Sequence, residues 1–429
     1  MGTAYVKFDE SFCTGCSKCI RACLTKALRM REGRLVLNES LCIGCGECIR
    51  ACPEGAVTSA ISCERFEKSE RFSVAIVSPI LYPQFQGVMP CDVLQGLNRM
   101  GFDHVIDLSC YLEMYQFAAE EYIASNRGSG EAPWPLISPI CPVVCRLIAL
   151  KYPNLLSRIL PLKRPVGLIG KDIRRQIGEE FGVEDDDIEF CHLTPCPSKM
   201  ASADMAEILD FPCIDRVLGI NDIYPQLISA VEQVKDMDLS FYPCQRVCIL
   251  PNARALMWGM SGGEIAGIDT EGTLAVSGLR EVMHYIEKIE IGLFQDIAYM
   301  EFRACQTGCL GGSLTAVDKY LALSNAQKMI KMFGLDRRFQ RRKLRQVYDQ
   351  GWFHSRKKPE EKLKDFIGRE PLLSIEQMQR VEQILEKLPG NDCGACGAPD
   401  CRTFAEDVVR GYADLKDCYR IMLDTLQKP

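Results

Sequence analysis

Residues 12–23 read FCTGCSKCIRAC, and residues 41–52 repeat this pattern as LCIGCGECIRAC. Both segments space their cysteines as C-x2-C-x2-C-x3-C. The eight cysteines of the repeat are Cys13, Cys16, Cys19, Cys23, Cys42, Cys45, Cys48 and Cys52. Thiols this closely spaced indicate metal ligation, because the thiolate is the form of cysteine that binds metals. The repeat therefore predicts a small metal-dependent domain at residues 1–66.

This spacing resembles that of bacterial two-cluster ferredoxins, in which the fourth cysteine of each run binds the other cluster. The resemblance implies two 4Fe-4S clusters, with the ligand sets Cys13, Cys16, Cys19 and Cys52, and Cys42, Cys45, Cys48 and Cys23. A pair of zinc knuckles is the alternative, but zinc sites use paired C-x2-C groups and three cysteines in one loop do not fit them. A ferredoxin-like domain joined to a larger chain predicts that electrons enter the protein through this domain.

The whole chain has 429 residues, of which 47% are hydrophobic and 25% charged, as in ordinary globular proteins. Its 24 cysteines are grouped, and its N-terminus lacks a secretion-signal pattern, so we expect a reducing, cytoplasmic location rather than a disulfide framework. No apolar run approaches the roughly 20 residues that cross a membrane. The formal net charge of -6 disfavours general nucleic-acid binding.

A second cysteine group lies near the end of the chain, where residues 391–401 read NDCGACGAPDC. With a fourth cysteine further on, the spacing is C-x2-C-x4-C-x16-C, which resembles the small iron-sulfur domain of electron-transfer and corrinoid iron-sulfur proteins. The resemblance implies a helical 4Fe-4S domain at residues 371–429 with the ligands Cys393, Cys396, Cys401 and Cys418. Zinc is the alternative; a glycine-rich loop favours iron-sulfur, because it lets backbone amides approach the sulfides.

Between residues 70 and 345, short apolar runs such as 73–79 alternate with helix-length amphipathic stretches such as 278–291. This alternation predicts an α/β domain. Cysteines occur in three of its segments, which read SPICPVV at 138–144, LTPCPSK at 193–199 and FRACQTGCLGGS at 302–313. Buried structural cysteines are the alternative explanation of them.

The three segments resemble, in order and in local sequence, the signature segments of the iron-only (FeFe) hydrogenase catalytic domain. The resemblance extends to GFDHVID at 101–107, WGMSGGE at 258–264 and AVSGLR at 275–280. It implies an α/β fold and a 4Fe-4S cluster held by Cys141, Cys196, Cys305 and Cys309. Together with the other cysteine groups this makes four 4Fe-4S clusters in a multidomain α/β protein.

The same resemblance implies two residues with a catalytic role. Cys309 would bridge the cluster to a diiron subsite that carries CO and cyanide, and Lys199 would donate hydrogen bonds to a cyanide ligand. H2 would be the ligand of that subsite.

The sequence departs from the family where protons should move. The cysteine that relays protons in catalytic hydrogenases precedes the first ligand, and here that position is Ile140, after Pro139 rather than Ser. The other departures are Thr194 and Arg303 in place of two methionines that pack on the diiron site, Ser202 in place of a glutamate, and a shortened glycine run at 311–313. Because isoleucine cannot carry a proton, we expect slow proton exchange. The combination resembles the sensory hydrogenases more than the catalytic ones.

Additional cysteines lie close to the three segments. Cys110, Cys145 and Cys191 are candidates for an alternative proton relay or for extra ligands, or they are small buried hydrophobic residues. Cys244 and Cys248 form a C-x3-C pair to which the sequence assigns no role.

Residues 336–364 are strongly basic, and we expect residues 346–370 to be a linker before the C-terminal domain. A docking surface for an acidic partner or nucleic acid is one interpretation of this charge, and a solvated helix face is the other.

Three functions follow as hypotheses. The leading one is a hydrogenase-type protein that senses H2 or redox state, turns H2 over slowly, and passes electrons to a ferredoxin or to a signalling kinase or phosphatase. The second is a working ferredoxin-linked hydrogenase with an unrecognised relay. The third is an electron-transfer or scaffold protein without the diiron subsite, like the cytosolic iron-sulfur assembly relatives of the family. The sequence does not indicate an oligomeric state.

Overall fold

The computed structural model describes residues 5–63, 65–127, 133–199, 214–235, 251–335, 339–367 and 373–426. The chain divides into two compact units. One consists of Met1–Ala60 with Asp365–Pro429, and the other of Ile61–Lys364. The ferredoxin-like segment and the C-terminal segment, which the sequence predicts as separate domains, thus lie in one unit, called here the terminal unit; the other is the central unit.

The N-terminal part of the terminal unit is built from two small antiparallel sheets and two short helices. Its elements are β1 (Val6–Phe8), α1 (Lys18–Ala22), β2 (Leu28–Arg31), β3 (Arg34–Leu37), α2 (Glu47–Ala51) and β4 (Val57–Ser59). Strand β1 pairs with β4, and β2 pairs with β3. Glu32 and Gly33 both have positive φ and form the two-residue turn between β2 and β3, as a tight hairpin requires.

The central unit contains two parallel sheets. The first has the strand order β6-β5-β8-β9, with β5 (Phe72–Val77), β6 (His104–Asp107), β8 (Ile188–Thr194) and β9 (Arg216–Gly219). The second has the order β10-β11-β7, with β7 (Leu136–Ile137), β10 (Thr273–Ser277) and β11 (Tyr299–Arg303). Residues 74–77 of β5 are fully buried, as expected for a central parallel strand covered on both faces. The predicted α/β class is confirmed.

Helices cover these sheets. They are α3 (Pro90–Met100), α4 (Ser109–Asn126), α5 (Pro142–Lys151), α6 (Lys171–Phe181), α7 (Ile220–Lys235), α8 (Ala253–Met257), α9 (Leu279–Glu290), α10 (Lys319–Ile330), α11 (Arg341–Asp349) and α12 (Pro359–Lys362). Helix α3 begins with Pro90, which lacks the N–H that a first turn leaves unpaired, and ends at Gly101 with φ of 113°. In the part of the chain that the structure describes, we find no helix both long and apolar enough to cross a membrane.

The basic segment differs from the expected linker. Leu344 and Tyr348, four residues apart on α11, are buried in the hydrophobic cluster that includes residues of α4. Arg341 and Arg345 on the same helix pair with Glu121, and Arg341 also pairs with Glu120. Helix α11 has an apolar face that needs a partner, and it finds one in the central unit. The chain remains part of that unit up to Lys364. Two of its arginines are thus already engaged in ion pairs within the protein.

The C-terminal part of the terminal unit is helical, as predicted. Its helices are α13 (Ile375–Leu385), α14 (Cys401–Val409) and α15 (Tyr419–Leu426). Ser374 starts α13 with a capping box, and the Asp400 carboxylate accepts from the Thr403 N–H at the start of α14. Val381 and Phe404 form the small core between these helices.

Candidate metal centres

Four of the eight thiols in the N-terminal repeat surround one cavity. Cys13, Cys16, Cys19 and Cys52 line a partly open space of ≈ 600 Å³ together with Met30. Three of these thiols come from the first run and the fourth from the second, which is the exchange that the ferredoxin-like spacing implies.

The other four thiols of the repeat form a second group. Burial raises the pKa of both Cys45 and Cys48, and the next largest cause at each is the neighbouring Cys23. The Cys42 thiolate raises the pKa of both thiols as well. Gly44 has φ of 69°, and a Cβ there would lie 2.8 Å from the Tyr5 ring, so only glycine suits this loop.

The C-terminal group is compact as well. Cys393, Cys396, Cys401 and Cys418 line one cavity of ≈ 330 Å³. The Asp392 carboxylate accepts a hydrogen bond of 2.8 Å from the Cys401 N–H and so closes the loop on itself. The loop thereby brings three thiols to the fourth, which follows α14.

The central group is assembled from both sheets of the central unit. Cys141 follows β7 and is the N-cap of α5, Cys196 follows β8, and Cys305 and Cys309 follow β11. Every one of these positions lies beyond the carboxyl end of a parallel strand, where α/β proteins place their ligands. Strands β7 and β11 are hydrogen-bonded neighbours, which brings the first and third cysteine segments to the same sheet edge.

The thiols of the central group lie within electrostatic reach of one another. Burial raises the pKa of Cys196 to about 11, and the neighbouring thiolates of Cys141 and Cys309 raise it too, whereas the Lys199 ammonium lowers it. The backbone N–H of Lys199 donates to the Cys196 carbonyl at 3.2 Å. The structure therefore brings three of the predicted ligands and the predicted lysine into one site, and Cys305 lies in the same loop as Cys309.

The glycine-rich landmark at 258–264 supports the third cysteine segment. The Leu310 N–H donates to the Gly259 carbonyl at 3.1 Å. Gly308 has φ of 79°, and a Cβ there would lie 2.6 Å from the same carbonyl. Similarly, a Cβ on Gly312 would lie 2.3 Å from the Pro195 carbonyl of the second segment. These glycines are needed for close backbone approach between the segments.

Sequence reasoning missed a buried arginine that holds the second segment. Arg146 on α5 is 1% exposed and donates to the Ser198 carbonyl from two nitrogens at 3.2 and 3.3 Å, and to the Ser198 hydroxyl. These hydrogen bonds join α5, which follows Cys141, to Ser198, which precedes Lys199. A charged residue within the apolar pattern PVVCRLIAL was the available signal.

Sequence reasoning identified Arg303 as a departure but missed its partners. The guanidinium is 1% exposed and donates from Nη2 to Glu264 at 2.8 Å and from Nε to Glu301 at 3.0 Å; both carboxylates are fully buried. Glu264 also accepts from the Ser138 hydroxyl at 2.8 and 2.9 Å and from the Tyr299 hydroxyl at 2.5 Å. We call these five residues the Arg303 network.

One nitrogen of Arg303 is left over. Among the described residues, its buried Nη1 has no hydrogen-bond partner. Burial alone would lower the pKa of this guanidinium, but Glu301, Glu264 and, after them, the Cys309 and Cys141 thiolates raise it. The unpaired donor therefore belongs to a cation within electrostatic reach of two cysteines of the central group.

At the expected relay position, Ile140 is 5% exposed and packs in the hydrophobic cluster that contains Trp258 and Tyr299. Its backbone N–H donates to the Ser138 hydroxyl at 3.2 Å. Thr194, in place of a methionine, is fully buried, and its hydroxyl accepts from the Cys196 N–H at 3.3 Å. Ile140 and Thr194 thus have structural roles, and neither side chain can act as a titratable group.

The additional cysteines differ in their surroundings. Cys145 is buried, and its thiol donates to the Pro139 carbonyl at 3.5 Å, close to the first segment. Cys191 is fully buried in the core of the first sheet, and Cys110 is half-buried at the start of α4. Ser202 and the Cys244–Cys248 pair lie outside the described residues. Cys145 is thus the additional thiol placed beside the central group.

The cysteine groups suit iron-sulfur clusters. A cubane takes one thiolate for each of its four irons, spread around a larger volume than that of a single ion. The cavities lined by four thiols, and the unpaired Arg303 donor beside the central thiols, fit anionic iron-sulfur groups.

Comparison with known families agrees with these sites. Residues 71–267 match the family described as the C-terminal domain of the iron-only hydrogenase large subunit, residues 12–73 match a 4Fe-4S dicluster domain, and residues 388–419 match a family of Fe-S cluster domains. The fold and the cysteine groups thus define an FeFe-hydrogenase-like iron-sulfur protein with an N-terminal ferredoxin domain.

Individual relatives are distant. The cytosolic Fe-S cluster assembly factor NAR1 of Botryotinia fuckeliana is 24% identical over 46% of this chain and 37% of its own length. Iron hydrogenase 1 of Clostridium pasteurianum is 23% identical over 49% of this chain and 34% of its own length. The chain therefore aligns with little more than a third of each relative. Among solved structures, an apo [FeFe]-hydrogenase of Chlamydomonas reinhardtii is 14% identical, with a TM-score of 0.49 over 70% of this chain and 95% of that one.

The close backbone approach at Gly308 yields a first prediction. Gly308→Ala should destabilise the protein by roughly 2–4 kcal/mol, because it combines left-handed strain with a clash. Gly87→Ala is the matched control: Gly87 has φ of 69° and, among the described residues, nothing within 4 Å of its Cβ position, so it should cost only about 1 kcal/mol. Denaturant unfolding followed by circular dichroism measures both; equal losses would contradict the account.

The Arg303 network yields a second prediction. Above pH 7, where Glu264 is ionised, Arg303→Met should destabilise the protein by about 3–5 kcal/mol, since it leaves two buried carboxylates without their cation. Arg345→Met removes another arginine that pairs with two carboxylates, but one that is half exposed, and should cost no more than about 1 kcal/mol. The shift in denaturation midpoint distinguishes them, and a negligible effect of Arg303→Met would refute the network.

The third prediction concerns pH. Burial raises the pKa of Glu264 from 4.5 to about 7, with Arg303 opposing and Glu301 adding to the shift. Because the pKa of Glu264 is higher in the folded than in the unfolded protein, protonation of Glu264 favours the folded state. This contribution to the free energy of unfolding is fully present below the unfolded-state pKa and is lost as pH rises through the folded-state pKa. The infrared carbonyl stretch of a protonated carboxyl should therefore vanish as pH rises through about 7, and should be missing in Glu264→Gln. A wild-type spectrum that is identical to that of Glu264→Gln throughout this range would contradict the assignment.

Proposed function

We propose that the central site is a hydrogenase-type iron-sulfur centre with restricted proton access, and that the protein binds H2 or turns it over slowly in order to report it. The observation that carries the proposal is Ile140. In its support, the sequence keeps the four predicted ligand cysteines and Lys199, while the residue before the first of them is a buried hydrocarbon side chain.

Proton transfer at this position needs a titratable group within hydrogen-bond reach. Ile140 offers none, and the nearby Ser138 hydroxyl donates to Glu264. A site of this kind would exchange electrons with its cluster more readily than protons with solvent, which suits a sensor better than a fast catalyst.

The residues present also suit a diiron group with cyanide ligands. Such a group would supply the binding of H2. Cys309 would hold it, and Lys199 and the unpaired Nη1 of Arg303 would be the cationic donors for its anionic ligands. A buried donor with no partner is costly, so an anion bound there would remove that cost.

A second candidate function is favoured by the same arginine. Arg303 occupies the position at which the hydrogenase family has a methionine packed on the diiron site, and it forms ion pairs with two buried carboxylates. A polar site of this kind would also suit a protein that carries only cubanes, and one of the relatives is an iron-sulfur assembly factor. Iron content separates the two, since four cubanes hold sixteen iron atoms and a diiron group adds two.

In the sensory hypothesis, the electrons continue through the 4Fe-4S clusters to a redox protein such as ferredoxin or to a signalling kinase or phosphatase. The ferredoxin domain supports this route, since it supplies two further cysteine groups in the same chain. In this proposal the protein works in the reducing environment of the cytoplasm.

The fourth prediction restores the missing relay. Ile140→Cys should increase the rate of H2–D2O isotope exchange of the matured protein by at least roughly tenfold, because a thiol can carry protons to the site. Ile140→Ala makes a similar cavity without a titratable group and should leave the rate unchanged. If both variants match the wild type at full iron content, restricted proton access is not what limits this site.

A further inference from the structure

We propose that Arg21, Met30 and Arg31 form an electron-transfer contact between the C-terminal cysteine site and the site of Cys13, Cys16, Cys19 and Cys52. The inference concerns the terminal unit alone and does not depend on a diiron group. It makes the C-terminal domain a direct redox partner of the ferredoxin domain.

The first observation is a backbone contact between the two cysteine sites. Met30 lines the cavity of the four N-terminal thiols, and its N–H donates to the Gly397 carbonyl at 2.8 Å. Gly397 directly follows the ligand Cys396. A single hydrogen bond thus joins a wall of one cluster cavity to the ligand loop of the other.

The contact is tight enough to require glycine. Gly397 has φ of 79°, and a Cβ there would lie 1.9 Å from the Met30 carbonyl oxygen. No other residue could keep this loop so close to β2.

The second observation is a pair of arginines that donate hydrogen bonds to the ligand loop of the C-terminal site. Arg21 lies on α1 between Cys19 and Cys23, and its Nη2 donates to the Cys393 carbonyl at 2.6 Å. Arg31 donates from Nη1 to the Cys396 carbonyl at 3.0 Å. Positive charge beside the ligating cysteines stabilises the more negative, reduced cluster and so raises its reduction potential.

Ion pairs fix this arrangement. Asp407 on α14 is 5% exposed and accepts from Arg29 at 2.6 and 3.1 Å and from Arg31 at 2.6 Å. Lys26 pairs with Asp400 at 2.9 Å. Charge-assisted bonds to a buried carboxylate give a defined geometry, which efficient electron transfer needs.

With 4Fe-4S clusters held at both sites, one electron would pass from the reduced cluster at one site to the oxidised cluster at the other. No bond would form or break and no proton would move. Cys393 is exposed, so an external one-electron carrier protein can reach the C-terminal site.

The test is electron paramagnetic resonance of the fully reduced, reconstituted protein. In the wild type we expect magnetic coupling between the C-terminal cluster and the ferredoxin clusters, and Gly397→Ala should weaken it. Gly411→Ala is the matched control, because Gly411 has φ of 78° and, in the described part of the chain, nothing within 4 Å of its Cβ position. A wild-type spectrum that is the sum of uncoupled signals, or an unaltered Gly397→Ala spectrum at full iron content, would overturn the proposal.

A second pair of variants avoids backbone strain in case Gly397→Ala fails to assemble. Arg21→Gln should shift the potential of the C-terminal cluster to a more negative value, since it removes the cation at Cys393. Lys18→Gln removes an exposed charge from the same helix and should leave that potential unchanged. If both variants leave the C-terminal potential as in the wild type, the contact is not a redox contact.

Discussion

The ion pairs of Arg303 with Glu264 and Glu301 are the interaction on which the central site depends. A guanidinium with 1% exposure can be kept in a protein interior only by carboxylates and hydrogen bonds that replace its water. Glu301 and Arg303 belong to β11, whereas Glu264 ends the glycine-rich landmark, so the network holds that landmark against the strand. Leu310 in turn contacts the landmark backbone, which places the third cysteine segment.

The same network bears on the proposal that proton access to the site is restricted. The network includes Ser138 of the first cysteine segment and Arg303 of the third, and the Ser138 hydroxyl, two residues before the relay position, donates to Glu264. Ile140 is buried in the hydrophobic cluster that also contains Trp258. The site keeps the thiols and Lys199 that would bind an iron-sulfur group, and it lacks a proton carrier where the hydrogenase family has one.

The cysteine groups could be predicted because their spacing is local. The loops at 13–19, 42–48 and 393–401 each place several thiols within a few residues, so the sequence alone predicts that the thiols of each loop lie together. The parallel α/β pattern was predictable for a similar reason, since β5 is a continuous apolar run. Arg303 with Glu264 was not predictable, because the two residues are 39 positions apart and nothing local marks the pair. Asp407 and Arg29 are 378 positions apart, so the joining of the two chain ends in one unit was also beyond sequence reasoning.

The central claim is that this chain retains a hydrogenase-type site whose proton access is restricted. Its most direct test is the infrared spectrum of the full chain after maturation with the cofactor-assembly machinery, in the region of CO and cyanide stretches. The account predicts such bands, with positions that shift when Arg303 or Lys199 is replaced, because both side chains would contact the anionic ligands. A spectrum without CO and cyanide bands, from protein that holds its full complement of cubane iron, would contradict it.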